Sequence, residues 1–136
     1  MKRRKSREYA LQILFQVDFT EKKIEGRDLE EFWSDKKDRS DVREFTEELV
    51  RGTLNKLDEI DKMIEIVTEN WLLKRMAAVD RNILRFAAYE ILYRKDIPSA
   101  VTINEALEIA KKYSSLDAAS FLNGVLDRLA KEAGKA

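Results

Sequence analysis

The sequence predicts an all-α protein, one domain of residues 1–136 folded as a compact bundle of six or seven helices. Three observations lead to this prediction. Apolar residues recur every three or four positions along most of the chain, as they do on one face of an α-helix. Leu, Ala, Glu, Lys and Arg, which favour helices, dominate the composition. The 4 Gly and 1 Pro are too few for the many turns of an all-β fold.

Helix-start signals divide the N-terminal part of the chain. Residues 6–22 are predicted to form the first helix. A short second helix through LEEFW follows, with Asp28 and Glu31 in the spacing of a capping box. After the polar stretch KKDRSD, Ser40 or Asp41 is expected to cap a third helix, because either side chain can accept a hydrogen bond from an unpaired helical N–H.

Similar signals mark the remaining helices. The residues from Asp58 onward either begin a new helix or continue the third one as a long bent helix. Pro98 ends the helix before it, because a proline cannot continue a helix from the residues that precede it. Thr102 and Glu105 form a second capping-box pattern for the next helix, and Asp117 is expected to cap the last one.

Residues 76–94 are predicted to form the central helix, since the segment FAAYEILY is apolar nearly all round. Glu90 is the only charged residue in that segment. A buried carboxylate is costly unless it is paired, so we expect an ion pair with Arg85 or Arg94. A catalytic role for Glu90 is disfavoured, because no second acid, base or nucleophile accompanies it in the sequence.

The composition excludes several classes of function. Cys and His are both absent, which removes thiol nucleophiles, disulfides, Cys/His zinc sites and histidine acid–base chemistry. No cofactor is expected, and the sequence predicts a binding protein, not an enzyme. No stretch is long and apolar enough to span a bilayer, so the cytoplasm is the expected location.

Charge is unevenly distributed although the formal net charge is zero. Residues 1–17 carry five cations and one acid, which gives +4, whereas residues 18–48 carry twelve acids and seven bases, which gives −5. A neutral protein does not bind polyanions through its whole surface. Any contact with nucleic acid must therefore be local.

The basic segment KRRKSR is the first candidate for such a contact. Dense cations neutralise phosphates, and arginine adds a planar fork that matches them. The second candidate is the end of one helix and the start of the next, where Lys111, Lys112, Tyr113 and Phe121 place aromatic rings beside cations, a combination that suits single-stranded RNA. The alternatives are a merely solubilising terminus and aromatic residues at the edge of the core.

Two phenylalanines mark a possible protein-binding surface on the first helix. Phe15 and Phe19 are one turn apart and share a face with Glu8, Gln12 and Gln16, away from the apolar stripe. Another helix of the same chain covers them, or they form a docking patch for a partner. On the polar side of the central helix, Asp80 and Arg81 are also available for contacts.

Four segments carry a family resemblance. The first is the arginine-rich start followed by REYALQILFQVDF. NWLLKRM and VDRNILRFAAYEILY together follow the pattern W-x-x-x-R and D/E-R/K-x-x-L-R-x-A-x-Y-E. IPSAVTINEALEIAKKYS and FLNGVLDRLAK match the final two helices of the family. On these segments the chain resembles the NusB family over nearly its whole length.

The resemblance implies a fold and a function. The fold would be two small helical bundles packed together. The chain would form a heterodimer with NusE, the small-subunit ribosomal protein that has a second role in transcription. That pair binds the boxA element of nascent RNA and helps RNA polymerase resist termination, notably on ribosomal RNA operons.

The resemblance also assigns roles to residues. It places Phe15 and Asp80 at the NusE-facing surface, and Asp117 near the RNA surface. The family's arginine-rich N-terminus contributes to boxA binding. That role maps onto Lys2, Arg3, Arg4, Lys5 and Arg7.

Two positions depart from the family pattern. Ser120 stands where the family block K-F-V-N-G has a lysine, so a potential phosphate-binding cation is missing from this part of the RNA surface. Leu72 follows Trp71 where a small polar capping residue is common. The first departure weakens the predicted RNA contact, and the second leaves the start of that helix undetermined.

Two other classes of function are alternatives to an antitermination factor. A helical structural or regulatory protein could form a homodimer through Phe15 and Phe19 without specific RNA recognition. An RNA-modifying enzyme is a further class, because the same helical module precedes some ribosomal RNA methyltransferases. The length of the chain excludes that class, since no glycine-rich cofactor loop follows the module.

Overall fold

The computed structural model describes residues 3–69 and 73–134, so the predictions for Lys2, Trp71 and Leu72 lie outside the described residues. The described residues form seven α-helices and a 3-10 turn at Leu73–Arg75. The predicted all-α class is therefore confirmed. The helices are α1 (Arg3–Thr20), α2 (Gly26–Trp33), α3 (Ser40–Asn55), α4 (Leu57–Val67), α5 (Ala78–Tyr93), α6 (Ser99–Tyr113) and α7 (Leu116–Glu132).

Helix α5 is the centre of the fold. It packs against α1 and α3 on one side and against α4, α6 and α7 on the other. Its buried residues are fully covered or nearly so, as expected for a helix that is apolar nearly all round. A single hydrophobic core runs through both groups of helices. The helices thus form two small bundles, α1–α3 and α4–α7, that share α5 as the common element.

The N-terminal bundle is held together by aromatic contacts between α1 and α2 and by a close approach of α3 to α5. Tyr9 of α1 meets Phe32 and Trp33 of α2 edge-on, with ring centroids 5.5 Å and 5.3 Å apart. Gly52 lets α3 approach α5, because a Cβ at that position would lie 2.2 Å from Cζ of Tyr89. Helix α1 buries Ala10 and Leu14 in the same bundle.

Several predicted helix starts are wrong by a few residues. The capping box of α2 joins Glu25 to Asp28, whose Oδ2 accepts the Glu25 N–H at 2.8 Å, instead of Asp28 to Glu31. The helix begins at Gly26, so Glu31 is already in its interior. Ser40 is the first residue of α3 and does not cap it, because Arg39 occupies the capping position.

The caps of the last two helices also differ from the prediction. Helix α6 begins directly after Pro98, and the Thr102–Glu105 box does not form because Thr102 is already inside the helix, where both side chains bind other helices. In α7 the cap is Ser115, whose Oγ accepts the Ala118 N–H at 3.0 Å, and not Asp117.

The residues from Asp58 onward belong to a new helix and do not continue the third one as a long bent helix. Helices α3 and α4 are two separate helices, joined at Lys56. Helix α4 carries Asp58 in its first turn, where a negative charge is favourable. Within residues 3–69 and 73–134, no helix is both long enough and apolar enough to cross a membrane.

Candidate nucleic-acid and protein interface

The first helix directs its cations to three different environments, and the most buried of them is that of Arg7. Arg7 is 2% exposed, and its Nε and Nη2 each donate to an oxygen of Glu90 at 2.7 Å. Thr102 of α6 donates its hydroxyl proton to the same carboxylate at 2.9 Å. Glu90 of α5 is thus held by one residue of α1 and one of α6.

The ion pair expected for Glu90 was assigned to the wrong arginines. Arg85 donates to both carboxylate oxygens of Asp61 instead, at 3.0 and 2.9 Å. Arg94 pairs with Glu48 and Asp96. Both arginines are thus engaged elsewhere, and the partner of Glu90 comes from a helix 83 positions earlier in the chain.

The buried pair removes Arg7 from the predicted RNA surface. Two of its donors are used by Glu90, and its side chain is almost completely covered. The assignment of Arg7 to RNA contact is therefore corrected to a structural role. Glu90 itself is fully buried and bonded to Arg7 and Thr102, which leaves it inaccessible to a substrate.

Arg4 and Lys5 lie on the surface, and each is already bound to a carboxylate. Arg4 donates Nε and Nη2 to the two oxygens of Glu105 in α6, at 2.9 and 2.6 Å. This hydrogen bond and the positive charge lower the pKa of Glu105. Lys5 lies 2.8 Å from Asp38, whose pKa its hydrogen bond likewise lowers.

A groove of about 730 Å³ opens beside these cations. Arg3, Arg4 and Lys5 line it on the α1 side, and Pro98 and Val101 give it an apolar wall on the α6 side. The guanidinium of Arg3 stacks over the ring of Phe45 at 4.3 Å, which holds that charge at the edge of the groove.

The end of α6 meets the start of α1, so two predicted cationic segments form one surface. Lys112 lies 3.2 Å from Glu8, and the hydroxyl of Tyr113 donates to the same carboxylate at 3.1 Å. Lys111 pairs with Glu108 of its own helix at 3.1 Å. Three positively charged residues of α1 and two of α6 are therefore presented together.

The remaining predicted RNA residues lie on the next helix. Asp117, Ser120 and Phe121 are exposed on the first turns of α7, which starts three residues after Tyr113. Phe121 is 40% exposed, a value that fits neither a core residue nor a fully solvated one. These residues extend the surface from the Tyr113 end of α6.

The phenylalanines of α1 remain exposed in the folded chain. Phe19 is 80% exposed and Phe15 is 37% exposed. The alternative in which another helix of this chain covers them is therefore wrong for Phe19 and only partly right for Phe15. Two neighbouring aromatic rings at the surface are typical of a docking patch.

An ion-pair network connects the start of α5 to α1, the helix that carries these phenylalanines. Asp18 of α1 accepts hydrogen bonds from Arg81 at 2.8 Å and from Asn82 at 3.0 Å. Burial alone would raise the pKa of Asp18, but these hydrogen bonds and the charge of Arg85 outweigh burial and lower it. Arg81 is consequently not available for a partner, contrary to the prediction.

Asp80 precedes Arg81 in the first turn of α5 and is half-buried. Its Oδ1 is covered and has no hydrogen-bond partner among the described residues. A covered carboxylate oxygen without a donor is unfavourable unless water or a residue outside the described ranges supplies one. Asp80 makes no ion pair with the described residues, so it fits the predicted contact with a partner better than Arg81 does.

The acids that hold the surface cations were not found from the sequence. Glu8, Asp38 and Glu105 belong to segments that are distant from their partners in the chain, by up to 104 positions. No local spacing signals such pairs. Only the arrangement of α1 against α6 and against the α2–α3 loop brings them together.

Comparisons with known proteins agree with this description. The NusB family profile matches residues 4–131. The transcription antitermination protein NusB of Thermodesulfovibrio yellowstonii is 49% identical, over 97% of this chain and 93% of that protein. These values cover almost the complete length of both chains.

Solved structures give the same result. The structure of T. maritima NusB is similar with a TM-score of 0.86 and 42% identity, over 97% of this chain and 92% of that chain. A chain in a crystal structure of the antitermination factors NusB and NusE in complex with dsRNA has a TM-score of 0.86 and 27% identity, over 97% of this chain and 99% of that one. The chain therefore belongs to the NusB family of transcription antitermination proteins, which is not an enzyme family.

Proposed function

We propose that this chain binds boxA RNA together with NusE and in this way supports processive transcription of ribosomal RNA operons. The observation that carries the proposal is the division of α1 into a cationic end and an exposed aromatic end. One rigid helix can thereby bind RNA and a protein partner through adjacent surfaces. A related NusB chain is known in a complex with NusE and dsRNA, which supports both kinds of partner.

The RNA surface in this proposal combines charge and rings. Phosphates meet the cations, and unpaired bases of a single strand stack on Tyr113 and Phe121. Arg7 is left out because it is buried. The residues proposed for RNA contact are Lys2, Arg3, Arg4, Lys5, Lys111, Lys112, Tyr113, Asp117, Ser120 and Phe121.

The NusE surface consists of Phe15, Phe19 and Asp80. The two rings supply apolar area, and the half-buried carboxylate of Asp80 offers a negative charge to the partner. We further propose that residues 1–136 act as one domain, in the cytoplasm, within the RNA polymerase antitermination complex. One continuous core supports the single domain.

Selective binding of boxA RNA tests the proposal. The chain is mixed with NusE, and its affinity for a boxA single strand is compared with that for a scrambled strand of the same composition. We expect the boxA strand to bind more tightly, and only when NusE is present. Equal affinity for both strands in the presence of NusE would refute specific recognition.

Substitution of the aromatic surface tests the partner. Phe15→Asp and Phe19→Asp should each weaken NusE binding by about thirtyfold or more, because anchor residues at interface centres contribute about 2 kcal/mol or more. Ile66→Asp is the matched control, since Ile66 is 57% exposed on α4, a helix that does not pack against α1. Circular dichroism should show unchanged helicity in all three variants.

A homodimer is the second candidate, favoured by the same exposed phenylalanines. Sedimentation of the chain without NusE distinguishes the two. A stable dimer that Phe19→Asp dissociates would favour a homodimeric regulatory protein. A monomer that binds NusE with unchanged helicity favours the antitermination factor.

A further inference from the structure

Three surface cations of the proposed RNA site are each bound to a carboxylate of the same chain. Arg4 binds Glu105, Lys112 binds Glu8, and Lys5 binds Asp38, with N–O distances of 2.6, 3.2 and 2.8 Å. The three acids come from three different segments of the chain. The cationic surface is thus neutralised from three different segments, in addition to the Lys111–Glu108 pair within α6.

The pattern of exposure is the same in all three pairs. The cations are half exposed, at 50%, 60% and 51% of their side-chain area, whereas the acids are mostly covered, at 17%, 16% and 10%. The acids are therefore the fixed members of each pair. The cations reach them from the solvent side and remain accessible to another anion.

Each carboxylate accepts from N–H donors that could otherwise bind an RNA phosphate. A carboxylate and a phosphate both present two negatively charged oxygens to a cation at hydrogen-bond distance. Arg4 uses Nε and Nη2 for a two-point contact with Glu105, which is the geometry of arginine on phosphate. A phosphate can make this two-point contact only in place of Glu105, although Arg4 carries further N–H donors.

We propose that Glu105, Glu8 and Asp38 compete with RNA phosphate for Arg4, Lys112 and Lys5, and so suppress binding of generic RNA. The inference rests on the RNA surface of the proposed function. Generic RNA binds through phosphates, and each phosphate must share the cation with an acid of the chain or displace that acid, which weakens its contact. An RNA that also offers base contacts and a partner protein overcomes this competition, so the acids determine specificity.

A double-mutant cycle on Arg4 and Glu105 tests the competition. The chain without NusE is titrated with a short scrambled single-stranded RNA, using wild type, Glu105→Gln, Arg4→Ala and the double variant. Glu105→Gln should raise the affinity about threefold to fivefold, which is the upper range for one exposed ion pair. In the Arg4→Ala background the same substitution should have almost no effect, because the cation in competition is gone.

A control variant separates local competition from a general change in charge. Glu65→Gln makes the same change in net charge on α4, a helix that packs against neither α1 nor α6. It should leave RNA affinity unchanged. Since Glu105 also lies 3.9 Å from Arg7, thermal unfolding of each variant must show that the buried pair is intact.

The outcomes are distinct. An equal gain from Glu105→Gln in both backgrounds, or an equal gain from Glu65→Gln, would overturn the proposal in favour of long-range charge. So would a chain that binds no RNA in any variant at low salt. The preference of the NusE-bound wild type for boxA is measured separately, so its loss would refute the proposed function without deciding the competition.

Discussion

Two arginines of α1 each bind a carboxylate in the same way, but the two pairs differ in burial. Arg7 and Glu90 are buried, whereas Arg4, three residues earlier, binds Glu105 at the surface. Both arginines make two hydrogen bonds to their carboxylate. The comparison shows that one run of cations, KRRKSR, contains one buried structural residue and several surface residues. Burial, which sequence composition does not report, separates them.

The position on the helix explains the difference. Arg7 shares a face with Leu11 and Leu14, at the spacing that points toward the core. Arg4 also points toward α6 but lies beyond the covered part of that face. The buried arginine is tolerated because Glu90 balances its charge, while Thr102 donates a further hydrogen bond to the Glu90 carboxylate.

Breaking the buried pair should give the largest effect. Glu90→Ala leaves Arg7 as an uncompensated buried charge, and we expect a loss of about 3–5 kcal/mol in the free energy of unfolding. Urea denaturation measures it. The double variant Arg7→Met/Glu90→Leu should recover most of that loss, since an apolar pair of similar volume replaces a buried ion pair at little cost. A loss below about 1 kcal/mol for Glu90→Ala would contradict the argument.

The partly buried pairs of Asp18 should give an intermediate effect that depends on pH. Because the folded state lowers the pKa of Asp18 below its ordinary value of 3.8, its contribution is complete above that value and is lost as the pH falls through the folded pKa. Unfolding free energy should therefore decrease below about pH 4. Asp18→Asn should flatten this decrease. An identical pH profile in the two proteins would rule out Asp18 as a cause.

The exposed pair should contribute least to stability and most to binding. Arg4→Ala should change the free energy of unfolding by less than about 1 kcal/mol, because water and salt screen a surface pair. The same variant should reduce the slope of log affinity for RNA against log salt by about 0.7, the value for one phosphate contact on a single strand. A large loss of stability with an unchanged salt slope would reverse the roles assigned to Arg4 and Arg7.

The sequence was sufficient for the helices and insufficient for their caps. Helical periodicity gave the central helix 76–94 to within two residues at each end, because its apolar positions are set by the core. The prediction of a cap was wrong where several residues suited to capping lie close together in the sequence. At α7, Ser115 and Asp117 are both good capping residues, and chain geometry chose the first.

The candidate site was predicted unevenly for a related reason. Exposed residues such as Phe19 follow from the helix projection, which needs only local spacing. The pairs of Arg7 and Arg4 join residues that are 83 and 101 positions apart, and charge alone offered several equivalent partners. Arg85 and Arg94 lie near Glu90 in the sequence, but each pairs with an acid that is closer to it in space. Long-range pairing was decided by packing.

The separation of these partners has a consequence for synthesis of the chain. A ribosome releases α1 before α5 and α6, which carry the carboxylates that pair with Arg7 and Arg4. A nascent chain that ends before residue 90 has an arginine that cannot be buried, so the N-terminal bundle does not complete its core alone. The arginines of the most cationic segment are therefore matched late in synthesis. Arg4 lacks its carboxylate partner until residue 105 has emerged.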